Sequence, residues 1–145
     1  MAKYVIERVK YGYESNILSE NICIADIIPE GDEILTLPEY YEGEPITHLG
    51  FYSVFEPAHE VWADYHHPAK GSDYVEDKYI YGYRTFDLPG VKKVIIPKTI
   101  AQIHSFAFDR CPGIEVEIDP ENETYLVRER EILYKKRDYV IVRLK

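Results

Sequence analysis

The chain has 145 residues, enough for one domain with a hydrophobic core of its own. Hydrophobic residues make up 46% and charged residues 30%, a balance that excludes a disordered chain. The formal net charge is −9 and no basic stripe accompanies it, which argues against a nucleic-acid partner. The charge is uneven: residues 1–55 carry −7, residues 56–90 carry −4 and residues 91–145 carry +2. The short cluster Lys135-Lys136-Arg137 reads as a solvated turn. No apolar run reaches the ~20 residues of a membrane span, so no membrane insertion is expected. Lys3, Glu7, Arg8 and Lys10 interrupt the N-terminal segment, which lacks the apolar centre of a signal peptide. As the sequence stands the expected location is cytoplasmic, or surface or secreted if an export signal was removed.

Taken in order, residues 3–13 alternate loosely through Tyr4, Ile6, Val9, Tyr11 and Tyr13 and predict a strand. Ser15-Asn16 is turn chemistry, and a second strand is predicted from Asn21 to Ile27. Pro29-Glu30-Gly31-Asp32 marks a turn before a strand at Ile34–Leu37, which Pro38 ends because proline cannot donate to a ladder. Residues 56–87 are rich in acidic, Tyr and His side chains. Leu88-Pro89-Gly90-Val91 then matches Cys111-Pro112-Gly113-Ile114, and each leads into a strand. Between them, the apolar residues of Val94–Ile114 fall in turn-by-turn order rather than at one helix or strand period. In the tail a strand ends at Ile118-Asp119. A hairpin follows, with strands near Glu131–Lys135 and Tyr139–Arg143.

The run VIIPKTIAQIHSFAFDRCPGI, Val94 to Ile114, resembles one repeat of the BspA-like (Treponema pallidum type) leucine-rich repeats, I-P-x-x-V-x-x-I-G-x-x-A-F-x-x-C-x-x-L. It departs at His104, where the family usually has Gly. Glu33 to Phe55 resembles a first repeat, with Leu37-Pro38 at I-P, Ile46 and Leu49 inward, and Gly50 at the turn. Ser53-Val54 stand there where Ala-Phe is usual. The resemblance implies a mainly β fold with short helices, an α/β solenoid built as a short right-handed stack in one domain. Its repeats would be residues 33–55 and 88–119, with an insertion at 56–87. Cap strands at 1–32 and a hairpin cap at 120–145 would cover the ends, since a bare terminal coil is insoluble. The implied structural core is Leu37, Ile46, Leu49, Val94, Ile96, Ile100, Ile103, Phe108, Cys111 and Ile114. Members are often surface or secreted proteins of bacteria and protists, proposed to bind host matrix or other partners. This chain departs from them in its few repeats and its aromatic insertion.

The candidate contact residues are Trp62, Tyr65, Tyr74, Tyr79, Tyr81 and Tyr83, because Trp and Tyr dominate interface energetics. Tyr79, Tyr81 and Tyr83 alternate and share a face if extended. The competing reading packs these rings into the core of a short stack. His59, His66 and His67 sit near Glu56, Glu60 and Asp64, but their spacing matches no established zinc pattern. His48 and His104 fall near the turns of successive repeats and are expected to be neighbours. Cys23 and Cys111 are expected to be buried structural thiols rather than a disulfide framework or nucleophiles. No catalytic motif or cofactor signature is present. The expected function is recognition of a protein partner without catalysis. A self-associating structural unit is the alternative, and metal-binding or hydrolytic use of the insertion is the remote one.

Overall fold

The computed structural model of the chain describes residues 1–13, 16–57, 77–137 and 139–145. Two long strands, β1 (Lys3–Tyr13) and β2 (Asn16–Ile28), pair antiparallel from Lys3↔Ile28 to Tyr13↔Asn16. β2 begins earlier than its apolar pattern suggests, because Ser19 and Ile17 pair with Tyr11 and Gly12. Next come β3 (Ile34–Thr36), the small hairpin β4 (Tyr40–Tyr41) and β5 (Glu44–Pro45), and β6 (His48–Leu49). β7 (Phe51–Pro57) and β8 (Asp77–Tyr83) form an antiparallel arm. β9 (Lys93–Ile96), β10 (Gln102–Ile103) and β11 (Glu115–Ile118) follow, then β12 (Tyr125–Arg128), β13 (Glu131–Tyr134) and β14 (Val140–Arg143).

Two short parallel ladders enclose the core. In the first, β3, β9 and β11 align Leu35, Val94 and Val116 in one row. In the second, β2, β6 and β10 align Ile24, Leu49 and Ile103. Each row is buried, because successive passes of the chain set the same inward position side by side. Leu37, Ile46, Leu49, Val94, Ile96, Ile100, Ile103, Phe108, Cys111 and Ile114 all lie in this core, none more than 7% exposed. The passes are joined at Leu88–Val91 and Cys111–Ile114 by the same turn. Val91 N–H donates to Leu88 O and Ile114 N–H to Cys111 O, both at 3.2 Å.

The fold is mainly β, and no helix occurs among the described residues. The expected short helices are therefore absent there. Across Ser105–Arg110, Ala107 bonds to His104, Asp109 to Phe106 and Cys111 to Phe108. These i to i+3 bonds fall at every second residue and make successive turns. Between the end of β10 at Ile103 and Pro112 too few residues remain for a helix to be stable by itself. Accordingly, no helix among the described residues is long and apolar enough to cross a membrane.

The excursion from the coil also begins earlier than expected. Ser53 and Val54, expected to close the first repeat, lie in β7. The chain leaves at Gly50 and returns at Arg84, whose N–H donates to Gly50 O at 2.8 Å. After the return Phe86 is fully buried, its ring 5.9 Å from that of Phe108, and its N–H bonds Ala107 O. Gly50 permits the departure through its φ of +88°. A Cβ there would meet the Cβ of His104 at 3.1 Å. His104 occupies the equivalent place one pass later with an ordinary backbone, so the chain continues into turns.

The tail forms a three-stranded sheet β12-β13-β14 rather than a two-stranded hairpin. The missed turn is Glu129-Arg130, with φ of 50° and 63°, a hairpin connection written without the usual Asn-Gly. Two side chains fasten this sheet to the stack. Buried Asn122 donates to Pro97 O and Ile100 O and accepts from the N–H groups of Thr124 and Tyr125. The Tyr125 hydroxyl accepts from Ile103 N–H and donates to Ala101 O, closing the free edge of β10.

Candidate functional site

Four consecutive residues of β2, Ile22 to Ala25, are buried, which requires cover on both faces of the strand. Ile22 and Ile24 belong to the main core, whereas Cys23 and Ala25, with Val9 of β1, lie outside that cluster. Their cover is the β7–β8 arm, which packs against β1 and β2. Gly12 pairs with Tyr79 along the backbone, and the Ser53 N–H donates to the Glu7 carboxylate at 3.0 Å.

The arm brings its rings onto the outward side of the β2–β6–β10 ladder. Tyr81 is sandwiched: Tyr11 stacks on it at 5.8 Å and His48 at 5.6 Å, with interplanar angles of 14° and 7°. Its hydroxyl receives a hydrogen bond from the Asn21 amide and shares another with the Ser19 hydroxyl. Phe51 stands edge-on to His48 at 5.3 Å and to His104 at 6.3 Å, so it separates the two histidines rather than letting them stack. Tyr83 stacks on His104 at 5.0 Å, and Phe106 meets the far side of the row edge-on to His104 at 5.7 Å. Three rings of this row are open to solvent: Tyr11 at 44%, Tyr83 at 61% and Phe106 at 59%.

On the other face of the arm, the Tyr52 ring lies over Gly82. A Cβ at Gly82 would fall 2.3 Å from that ring. The Arg84 guanidinium sits 4.9 Å above Tyr52 and donates through Nε to Ala25 O.

Burial sets the protonation of the histidines and thiols here. Burial lowers the His48 imidazole to about 4, and Thr47 Oγ1 lies 2.8 Å from its Nδ1. Burial also lowers His104, against the opposing pull of Asp109. Both are therefore uncharged at neutral pH. The Cys23 thiol, under the arm, is pushed up to about 12 by burial and secondarily by Glu7, so no thiolate forms there. Cys111 is raised by burial too and donates to Phe86 O. Among the described residues no group of His, Cys, Asp and Glu could hold a metal ion.

Of the sequence-predicted contact residues, Tyr81 and Tyr83 share one face of β8. Tyr81 is half-buried and Tyr83 is exposed. Tyr79 contributes its backbone to β8. Trp62, Tyr65 and Tyr74, with His59, His66 and His67, lie outside the described residues. Tyr11, Phe51 and Phe106 were not anticipated. The equivalence of Leu49-Gly50 with Ile103-His104 was the available signal for Phe51 and Phe106, while nothing local marks Tyr11. No protein-family model, no curated protein and no solved structure matches the chain.

Proposed function

We propose that the chain is a short leucine-rich-repeat-like solenoid of the BspA-like type, serving as a non-enzymatic protein-recognition module whose contact surface is the ring row. The in-register rows Leu35–Val94–Val116 and Ile24–Leu49–Ile103 support the stack, since each pass of chain adds one layer to both ladders. The observation that carries the recognition reading is the exposure of Tyr11, Tyr83 and Phe106 along a row whose inner rings are pinned from behind. Rings held this way lose little conformational freedom on binding, and aromatic anchors supply much of an interface's energy.

A photo-cross-linking residue placed at Tyr83, against one placed at Lys92 beside the first ladder, tests this in cells. A discrete protein adduct at position 83 and none at position 92 is the expected result. Equal or absent adducts at both positions overturn the reading. An adduct between two copies of the chain replaces it with self-association.

A further inference from the structure

We propose that the β7–β8 arm is a hinged flap that lifts off β1 and β2 as one piece, uncovering Cys23 while both ladders stay closed. None of the arm's described side chains belongs to the hydrophobic cluster that fills the stack. Val9, Cys23 and Ala25, the buried residues beneath the arm, lie outside that cluster too. Lifting the arm opens this small seat and leaves the rows Leu35–Val94–Val116 and Ile24–Leu49–Ile103 packed. One valine, one cysteine and one alanine bury far less apolar area than the stack does, so the seat opens at a lower cost than the core. No partner is required for the motion.

Among the described residues, polar and ring contacts hold the arm down. Its backbone pairs with β1 only at Gly12↔Tyr79 and Tyr13↔Lys78, at the end of that strand. The Ser53 N–H donates to Glu7, and the Tyr81 hydroxyl bonds Asn21 and Ser19 beneath its stack on Tyr11 and His48. Water replaces such hydrogen bonds once the arm lifts, so each adds only modestly to closure. The hinge lies where the arm meets the coil. Gly50 is pinned to the body by its N–H to Ile24 O, and Phe86 by its N–H to Ala107 O. Between those pins the chain turns at Gly50 through a φ of +88°. Beyond them β7 and β8 pair with each other from Phe51↔Tyr83 to Pro57↔Asp77, which makes the arm one ribbon. The rings of Phe51, Tyr81 and Tyr83 leave with it, so the ring row exists only while the flap is down.

Cys23 is a free, buried thiol and reports the opening directly. The test follows iodoacetamide labelling of Cys23 in the full chain, separated from Cys111 by peptide mass spectrometry, beside urea unfolding of the same protein. Labelling should proceed without urea, faster than global unfolding allows, and should barely change at low urea because little surface is exposed. Ile96→Val, in the core and away from the arm, should lower the urea midpoint and leave Cys23 labelling unchanged. Tyr81→Ala should speed labelling about ten-fold, the equivalent of its stacking and hydrogen bonds, and Tyr81→Phe, which keeps the stack, by a smaller factor. Labelling that appears only with the urea transition, and that quickens in Ile96→Val as the midpoint falls, overturns the proposal, because the thiol is then reached only through the unfolded chain. Immediate labelling of the wild type, unmoved by either Tyr81 variant, overturns it as well, because the arm then gives Cys23 no cover.

Discussion

The two sides of the β2–β6–β10 ladder share one backbone register and differ in their chemistry. The inner row, Ile24, Leu49 and Ile103, is aliphatic and at most 4% exposed. One residue along, the outer row is Cys23, His48 and Gln102, overlaid by Phe51 and Tyr81. The inner side gains stability from dry, close packing. The outer side is assembled from rings, with the Tyr81 hydroxyl and the His48 imidazole hydrogen-bonded and Tyr11, Tyr83 and Phe106 exposed. The contrast separates a dry aliphatic core from a partly open aromatic surface across the thickness of one strand.

Substitutions on the two sides should therefore differ in size. The largest effect is expected on the inner side: Phe108→Ala should cost about 3–5 kcal/mol, read from urea midpoints, because Phe108 packs on Phe86 in the closed core. Asn122→Ala should follow at about 2–3 kcal/mol, since it strands the Ile100 carbonyl and two N–H groups under the cap. Gly50→Ala should cost about 1–3 kcal/mol, from the left-handed backbone and the crowding against His104.

Acid should act through the outer side. The folded His48 sits at about 4 against an ordinary 6.5, so the unfolded chain takes up its proton first. This contribution is whole above pH 6.5, is lost as the pH falls from 6.5 to 4, and changes no further below. After allowance for solvent screening it is on the order of 1–2 kcal/mol. Comparing urea midpoints of the wild type and His48→Gln at pH 7.5 and 4 isolates it; parallel losses in the two proteins would remove His48 from the account. The smallest effect belongs to Tyr83→Ala, expected within about 0.5 kcal/mol because the ring is largely exposed. A cost above about 1.5 kcal/mol would place Tyr83 with the inner side and erase the distinction.

The inner side was far more legible in the sequence than the outer. Val94 to Ile114 carries its layer positions in its own spacing, because each inward residue is fixed by a nearby proline or turn. The outer side depends on partners far apart in the chain. FYSVF reads equally well as the end of a coil or the start of an arm, and only the pairing of Phe51 with Tyr83 decides between them. That choice puts Ser53 and Val54 in β7 and leaves Phe86 to pack against Phe108. Tyr11 joins the row through β1 by pairing and stacking that no local pattern encodes. The alternation of Tyr81 and Tyr83 was readable, but not which of the two would be open.

The repeated Pro-Gly turn makes the stack divisible. Leu88–Val91 and Cys111–Ile114 close with the same bond at the same length and lie 23 residues apart. The chain from Leu88 to Arg110 is thus a cassette with matching ends. Copied in tandem, it would add one layer to both ladders, with β2 still covering the first layer and Asn122 and Tyr125 still sealing the last. The reach of the ring row could then be lengthened in steps of one layer without redesigning either end.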